Sequence, residues 1–119
     1  MKKTLVIGAS ENTSRYSNMA IHRLRSVGID VCAIGLKQGV VEDVKIETGL
    51  PFFSDIHTVT MYVGEKTQSN FYDYIESLQP RRVIFNPGAE NEQFATRLRQ
   101  KNIEVLEACT LVMLSTGQY

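Results

Sequence analysis

The sequence has few of the residues that build disulfide scaffolds and metal sites. It contains two cysteines and no tryptophan in 119 residues. Cys32 and Cys109 lie far apart without metal-ligand spacing, which is typical of a protein in a reducing compartment. No apolar run approaches the roughly 20 residues of a membrane span, and the apolar stretch after Met1-Lys2-Lys3 is too short for a signal-peptide core. We therefore expect a cytoplasmic protein that does not enter a membrane.

The chain also lacks an excess of charge of either sign. Its 13 basic and 13 acidic residues give a net charge of zero, and they form no run of like charges. Binders of nucleic acids and membrane surfaces need a net basic footprint, so both classes are disfavoured. At roughly 150 residues per domain, residues 1–119 are expected to form a single domain. Any anion that this protein binds must be held by local groups.

Apolar runs of strand length alternate with helical patterns along most of the chain. Residues 4–7 and 31–35 are largely apolar runs of the kind buried on both faces of a parallel sheet. The segment between them carries apolar residues at helical spacing and a terminating Gly28: Ala20, Ile21, Leu24 and Val27. This succession predicts a βαβ unit with a right-handed crossover.

The second half of the chain repeats the alternation after an irregular stretch. Residues 37–57 have weak patterning, and we predict a loop there with at most a short edge strand at residues 44–46. The remaining predicted elements are strands at residues 58–63, 82–85 and 103–106, and helices at residues 69–79, 94–98 and 109–114. Together these elements predict an open α/β fold with a five-stranded parallel sheet of order 3-2-1-4-5.

In such a sheet, ligands bind beyond the carboxyl ends of the strands, where the strand order reverses. The reversal between the first and fourth predicted strands would bring the loop after the first strand beside Asn86-Pro87-Gly88. That loop has Gly8 where a dinucleotide-binding turn begins, but Ser10 and Thr13 replace the two later glycines. Its backbone N–H groups, its hydroxyls and Arg15 suit phosphate oxygens. A polar turn that only caps the next helix would have the same composition, so both interpretations fit the sequence.

The end of the second strand indicates which nucleotide would fit. A cofactor with a free ribose 2′-hydroxyl usually meets an aspartate or glutamate there, about 20 residues after the glycine turn. Lys37 stands at this place, whereas Asp30 opens the second strand at the wrong edge of the sheet. A lysine favours an additional ribose phosphate, as in NADP or coenzyme A, although a solvated loop lysine also fits the sequence.

Known catalytic constellations are absent from the sequence. It has no phosphate-loop lysine motif, no nucleophile elbow and no paired-histidine metal motif. Tyr62 and Lys66 have the spacing of a reductase acid/base pair, but Tyr62 falls in a predicted strand and Gly64 interrupts the pair. His22 and His57 have no predicted partner for a general-base role. The motifs therefore identify no catalytic machinery, and they leave open whether the protein is an enzyme.

Four segments, taken in order, give the chain a family resemblance. They are Leu5-Val6-Ile7-Gly8-Ala9-Ser10, Ser14-Arg15-Tyr16-Ser17, Val83-Ile84-Phe85-Asn86-Pro87-Gly88 with Glu90-Asn91, and Ala108-Cys109-Thr110-Leu111-Val112-Met113-Leu114. Over essentially its whole length the chain resembles the small stand-alone bacterial CoA-binding proteins, whose fold is related to the N-terminal domain of the succinyl-CoA synthetase alpha subunit. The resemblance implies a Rossmann-like three-layer sandwich. It does not imply ligase activity, because the synthetase's phosphohistidine and grasp domains have no counterpart here.

The resemblance also implies a set of ligand contacts. Coenzyme A or an acyl-CoA would lie with its diphosphate over residues 8–10, with Arg15 near the phosphates and Lys37 near the ribose phosphate. Residues 86–88 would flank the pantetheine end. The cofactor-binding residues expected on this basis are Gly8, Ala9, Ser10, Thr13, Arg15, Tyr16, Lys37, Asn86, Pro87, Gly88 and Cys109, with no catalytic or metal-binding residue. Cys109 is either a thiol that forms a mixed disulfide with oxidised CoA, by thiol–disulfide exchange, or a small buried apolar residue.

The expected function is binding of CoA or acyl-CoA without chemistry, as a sensor, a carrier or an accessory subunit for a protein partner. One alternative is an NADP-binding small reductase, which would need hydride-transfer groups that the sequence does not offer. A second alternative is an interaction module with a vestigial pocket. The identity of a ligand bound to the purified protein separates these three hypotheses.

Overall fold

The computed structural model describes residues 2–119 and contains one sheet with helices on both faces. In chain order the strands are β1 (Thr4–Ala9), β2 (Val31–Gly35), β3 (Gly39–Val41), β4 (Val44–Glu47), β5 (Thr58–Met61), β6 (Arg82–Phe85) and β7 (Glu104–Glu107). The helices are α1 (Tyr16–Ser26), α2 (Glu65–Gln68), α3 (Tyr72–Leu78), α4 (Glu92–Gln100) and α5 (Thr110–Ser115), with a 3-10 turn at Ser69–Phe71. The α/β class expected from the sequence is confirmed.

The sheet has seven strands in the order β3-β4-β2-β1-β5-β6-β7. The prediction of a five-stranded parallel sheet of order 3-2-1-4-5 is therefore wrong in two respects. First, residues 37–57 contain two strands: the short strand considered at residues 44–46 is present as β4, and β3, which was not expected, pairs antiparallel with it. Second, β5, the third strand expected from the sequence, pairs with β1. The strand that pairs with β2 on the side away from β1 is β4.

Both β3 and β4 are short, and their sequence signals are weak. In β4, Val44 and Ile46 are buried while Lys45 is exposed, an alternation too brief to outweigh the flanking loop residues. Glu42 and Asp43 form the turn between β3 and β4, where tight hairpins usually have glycine or asparagine. Glu42 has a φ of 55°, a left-handed conformation that is uncommon for glutamate. The usual signal of a hairpin is therefore missing from the sequence.

Two side-chain contacts attach this hairpin to α1. The Nε and Nη2 of Arg25 donate to the two carboxylate oxygens of Asp43, each at 2.8 Å. The Nδ1 of His22 lies 2.6 Å from Oε2 of Glu42. Contacts with α1, which is distant in sequence, thus stabilise a turn whose residues do not favour a tight hairpin. The hairpin follows Lys37 directly and extends the sheet beside the end of β2.

The six parallel strands follow the order β4-β2-β1-β5-β6-β7. This is the order of the doubly wound dinucleotide-binding sheet, in which ligands bind where the winding reverses. The reversal lies between β1 and β5, so the loop after β5 is the direct neighbour of the loop after β1. The strand at residues 82–85 was expected in that position, but β6 lies one place further out. Tyr62 and Val63 therefore stand between the two loops that were expected to form the crevice.

The two faces of the sheet are covered by different helices. Leu5 and Ile7 of β1 belong to the core beneath α3 and α4, whereas Val6 belongs to the core beneath α1 and α5. All three side chains are fully buried, which accounts for the continuous apolar run in the sequence. Each buried side chain of this size contributes about 1.5–3 kcal/mol to stability. The central strand is thus fixed from both sides up to Gly8, where its turn begins.

Candidate functional site

The turn at the end of β1 requires glycine at position 8. Gly8 has a φ of 97°, in the left-handed region that favours glycine. A Cβ at this position would lie 3.0 Å from Cγ1 of Val63 and 3.1 Å from the carbonyl carbon of Tyr62. Conformation and space therefore both exclude a side chain. The bare backbone leaves the turn accessible to a ligand.

A second close approach involves Gly35 at the end of β2, which was not selected from the sequence. A Cβ at Gly35 would lie 2.3 Å from the carbonyl oxygen of Ala9. The register between β1 and β2 shifts at this point, so that Gly35 pairs with Ala9. Because the two backbones touch here, the chain that leaves β2 passes beside the glycine turn. This contact brings Leu36 and Lys37 to the same place as the loop after β1.

The loop between β1 and α1 is braced by its own side chains. The Oγ of Ser10 accepts a hydrogen bond from the Asn12 amide, and Oδ1 of Asn12 accepts from the amide and hydroxyl of Ser14. Asn18 in α1 donates to the carbonyl of Ser10 at 3.0 Å. Arg15 is the N-cap residue of α1 and makes no side-chain capping bond. The interpretation of this loop as a simple helix cap therefore lacks the hydrogen bond that it requires.

A cavity of about 500 Å³, here called the turn cavity, opens beside this loop. It is lined by Gly8, Ala9, Ser10, Glu11, Asn12, Arg15, Leu36, Lys37, Gln38, Tyr62 and Val63. Arg15 and Lys37 are exposed, and neither forms an ion pair with any of residues 2–119. Amides at the start of a helix and uncompensated cations both favour anions. The two cations outnumber the one acidic residue of the lining, Glu11, so the turn cavity suits a phosphate group better than a neutral ligand.

Two smaller cavities flank the turn cavity. The apolar cavity has a volume of about 330 Å³ and is lined by Gly8, Ile34, Gly35, Leu36, Thr48, Gly49, Leu50, Val63, Thr67, Asn70 and Phe71. The proline cavity has a volume of about 280 Å³ and is lined by Gly8, Arg15, Tyr16, Ser17, Tyr62, Pro87, Gly88 and Ala89. Because all three cavities share Gly8, they form one crevice along the carboxyl ends of the strands.

The structure brings most of the predicted site residues to this crevice. Those in the turn cavity are Gly8, Ala9, Ser10, Arg15 and Lys37, and those in the proline cavity include Tyr16, Pro87 and Gly88. Thr13, Asn86 and Cys109 line none of the three cavities. Thr13 is exposed in the loop, and Cys109 is the partly buried N-cap residue of α5.

Asn86 is buried, and its side chain is fully engaged within the protein. Its Nδ2 donates to Oγ1 of Thr60 at 2.7 Å and to the carbonyl of Met61 at 2.9 Å. Its Oδ1 accepts a hydrogen bond from the Thr110 amide at 2.9 Å. Asn86 thus ties the end of β6 to β5 and to the first turn of α5. Its side chain positions the neighbouring Pro87 and has no hydrogen left to donate to a ligand.

Tyr62 has a central position that its sequence context did not reveal, because it depends on the strand order. It lines both the turn cavity and the proline cavity. Its hydroxyl is buried near those of Thr60 and Thr110, but within the described part of the chain no hydrogen bond of normal geometry reaches it. Burial raises the pKa of Tyr62 to about 12. The residue is therefore neutral at physiological pH and unsuited to act as a base there.

A buried amide network connects the two loops on the β5 and β6 side of the crevice. The Nε2 of Gln68 donates to the carbonyl of Val63 at 2.9 Å and to that of Ala89 at 2.6 Å. Its Oε1 accepts from Nδ2 of Asn91, whose Oδ1 caps α4 at the Phe94 amide. Gln68 was not predicted as part of the site, because a single polar residue in a short helix gives no signal of burial. It fixes the spacing between the loop after β5 and the loop after β6.

The remaining reactive side chains lie outside the crevice. Neither His22 nor His57 lines any of the three cavities, and burial lowers the pKa of His57. Burial also raises the pKa of Cys32 within β2. Among residues 2–119 there is no group of histidine, cysteine and acidic side chains able to hold a metal ion. In the same part of the chain, no helix has the length and apolar character needed to cross a membrane.

The strand order and the crevice define a doubly wound α/β protein of the Rossmann-like class. A family model described as a CoA binding domain matches residues 2–115. The chain therefore belongs to this CoA-binding family, which confirms the resemblance carried by its four sequence segments. No curated protein matches the chain in sequence.

Solved structures with the same fold cover nearly the whole chain. A crystal structure of an uncharacterized protein is 44% identical, with 100% of this chain and 98% of that chain covered and a TM-score of 0.97. A hypothetical protein from Pyrococcus horikoshii OT3 is 20% identical over 97% of this chain and 82% of that chain, with a TM-score of 0.87. A protein from Thermus thermophilus is 17% identical over 99% and 91% of the two chains, with a TM-score of 0.85. The last two similarities establish the fold alone.

Proposed function

We propose that the crevice binds coenzyme A or an acyl-CoA with its diphosphate over the Gly8 turn. The observation that carries the proposal is the presence in the turn cavity of two cations, Arg15 and Lys37, that form no ion pair with any of residues 2–119. They come from different loops, and CoA likewise carries two separate anionic groups, the diphosphate and the ribose phosphate. Arg15 would meet the first group and Lys37 the second. Membership of a CoA-binding family supports CoA over other nucleotides with the same charge pattern.

The flanking cavities suit the two ends of the same ligand. The apolar cavity, between Leu36, Leu50 and Phe71, would take the adenine ring. The proline cavity, between Tyr16 and Pro87, would take the pantetheine arm. Apolar walls suit the flat adenine ring in the first cavity. The second cavity has both polar and apolar lining residues, which suits the amides and the carbon chain of pantetheine.

Three of the residues predicted from the sequence would have indirect or peripheral roles in this arrangement. Asn86 would position Pro87 and Gly88 rather than contact the ligand. Cys109, which begins α5, would meet only the thiol end of an extended pantetheine arm. Thr13 would lie at the rim, beyond the phosphates.

We further propose that the protein binds its ligand without transforming it. General acid–base catalysis needs a titratable group within hydrogen-bonding reach of the substrate. Neither histidine lines the three cavities, and burial keeps the Tyr62 hydroxyl neutral. Glu11 lines the turn cavity, but it would lie beside the ribose and phosphates rather than at the thiol end of the ligand, where acyl chemistry occurs. A sensor, a carrier or an accessory subunit that supplies CoA to a partner protein fits such a site.

Native mass spectrometry of the purified protein, combined with thermal unfolding, tests the ligand. We expect a bound species of CoA mass, and a rise in Tm with added CoA that exceeds the rise with NAD, which has no ribose phosphate for Lys37. At 100 times its Kd a ligand stabilises the fold by about 2.7 kcal/mol, which corresponds to several degrees for a protein of this size. Equal shifts with NAD and CoA would contradict the proposal. A larger shift with NADP would favour a reductase, and no shift with any nucleotide would favour an interaction module.

A further inference from the structure

Glu11 is an acidic residue that lines the turn cavity, where the proposed ligand is anionic. It lines this cavity together with Arg15 and Lys37, yet it forms no ion pair with either of them. A like charge beside the phosphates of a nucleotide opposes binding unless the carboxylate also receives a hydrogen bond from the ligand. The position of Glu11 therefore suggests a specific donor on the ligand.

The backbone of β3 holds the Glu11 side chain in place. Its Oε2 accepts a hydrogen bond from the Val40 amide at 2.9 Å. A Cβ at Gly39 would lie 2.5 Å from Cδ of Glu11, so the carboxylate fits against β3 only because this residue is glycine. An acceptor that is already held in place loses little conformational entropy when a ligand binds.

The second oxygen of the carboxylate is available. No group within residues 2–119 forms a hydrogen bond to Oε1 of Glu11, whereas Oε2 has the Val40 amide. An ionised carboxylate can only accept hydrogen bonds, so the ligand atom that meets Oε1 must be a donor. Phosphate oxygens do not qualify when they are ionised.

The ribose is the part of the proposed ligand that supplies a donor at this place. The adenine amino group would lie in the apolar cavity, and the pantetheine amides and hydroxyl would lie in the proline cavity. The ribose hydroxyl next to the ribose phosphate would remain in the turn cavity, near Lys37. In doubly wound sheets a carboxylate at the end of the second strand commonly accepts from a ribose hydroxyl. Lys37 occupies that strand end here, and Glu11 reaches the same cavity from the loop after β1.

We infer that Glu11 recognises the ribose by accepting a hydrogen bond from its free hydroxyl, while Lys37 binds the adjacent phosphate. This inference rests on the proposed function, because it assumes a nucleotide with a ribose phosphate. The pair selects a ribose that carries one hydroxyl and one phosphate. A deoxyribose loses the contact with Glu11, and a ribose without the phosphate loses the contact with Lys37.

Calorimetric titration with adenosine 3′,5′-bisphosphate and its 2′-deoxy analogue tests this inference. The two probes differ by one hydroxyl and carry the same charge, so repulsion from Glu11 cancels in the ratio of their affinities. We expect the wild type to bind the ribonucleotide about tenfold more tightly, as a charge-assisted hydrogen bond predicts. In Glu11→Ala this ratio falls close to one. In Glu11→Gln, which keeps an acceptor for the Val40 amide, it lies between the two values.

Two control variants separate ribose recognition from general damage to the site. Glu42→Ala removes a carboxylate of the hairpin against which Glu11 packs, one that faces His22 outside the three cavities, and leaves the ratio unchanged. Lys37→Ala weakens both probes alike, because both carry the ribose phosphate. A wild-type ratio near one, or an unchanged ratio in Glu11→Ala and Glu11→Gln, overturns the inference. Failure of the wild type to bind either probe or CoA instead overturns the proposed function.

Discussion

The guanidinium of Arg25 and the carboxylate of Asp43 are joined by two hydrogen bonds of 2.8 Å between α1 and the β3–β4 turn. Such a paired geometry is stronger and more directional than a single contact. The Nη1 of Arg25 also donates to the carbonyl of Ile29 at 2.8 Å, which limits the freedom of the side chain. This arrangement holds the outer hairpin of the sheet, and with it the Val40 amide that donates to Glu11, against the first helix.

Asp43 should make stability depend on pH in the acid range. The hydrogen bonds from Arg25 lower the pKa of Asp43 below its ordinary value of 3.8. A carboxyl group with a lowered folded-state pKa stabilises the fold above the ordinary value, and this contribution is lost as the pH falls through the folded-state pKa. We expect Asp43→Asn to lower stability at neutral pH and to flatten the pH profile below about pH 4.

Urea unfolding across this pH range provides the measurement for Asp43→Asn. Asp55→Asn is the matched control, because Asp55 is exposed and forms no ion pair with any of residues 2–119. The profile of the control should follow that of the wild type. Parallel profiles for Asp43→Asn and the wild type would show that the pair with Arg25 does not contribute to stability.

Lys37 should distinguish CoA from dephospho-CoA. Lys37→Glu removes the proposed contact with the ribose phosphate and adds repulsion, so we expect a loss of roughly 1–2 kcal/mol, or about five- to thirtyfold in Kd, for CoA. Dephospho-CoA, which lacks that phosphate, should lose much less. Calorimetry with both ligands measures the difference. Lys45→Glu is the control, since Lys45 is exposed on β4 and lines none of the three cavities. Equal losses for both ligands would show that Lys37 is a solvated loop residue that does not contact the ribose phosphate.

Gly35 should tolerate no side chain. In Gly35→Ala the new Cβ would meet the Ala9 carbonyl oxygen at 2.3 Å, and both strands would have to move apart. Overpacking of this kind costs about 1–3 kcal/mol of stability, and we expect weaker CoA binding as well because Lys37 follows this strand end. Gly64→Ala is the control: Gly64 has a φ of −72°, and a Cβ there would meet no atom within 4 Å. Denaturant unfolding that ranks the two variants equally would contradict the close approach of β1 and β2.

The two cysteines should differ in reactivity toward CoA disulfide. Burial raises the pKa of Cys32, whereas Cys109 begins α5 on the side of the sheet where the strands end. In the exchange a cysteine thiolate attacks one sulfur of the disulfide, which forms a mixed disulfide and releases one CoA thiolate. We expect the adduct to form faster at Cys109 and to be released by reductant. Intact-protein mass spectrometry of Cys109→Ser and Cys32→Ser shows which cysteine carries the adduct. An adduct that forms in Cys109→Ser but not in Cys32→Ser would contradict the prediction.

The central part of the fold could be predicted because its signals are local. The apolar run that forms most of β1 reflects burial on both faces, and Gly8 marks a conformation that other residues rarely adopt. The cation at Lys37 could also be found, because it follows a recognisable strand. These features depend on residues that are neighbours in the sequence.

The parts that could not be predicted depend on contacts between distant residues. The turn at Glu42 is stabilised by α1 through His22 and the adjacent Arg25–Asp43 pair, so its own sequence carries no hairpin signal. The central place of Tyr62 follows from the pairing of β5 with β1, which strand patterns alone do not determine. Gln68 likewise becomes part of the site only when two loops are folded around its amide.

β3 is the outermost strand on its side of the sheet, and the middle amide of its three residues already donates to Glu11. Unoccupied amides on an exposed edge recruit strands from other molecules and start aggregation. The Glu11 carboxylate occupies the Val40 amide and adds a negative charge beside it. At the opposite edge, β7 exposes Glu104 and Glu107. Carboxylates therefore lie at both open edges of the sheet. Their negative charge opposes edge-to-edge strand pairing between copies of this chain at high concentration.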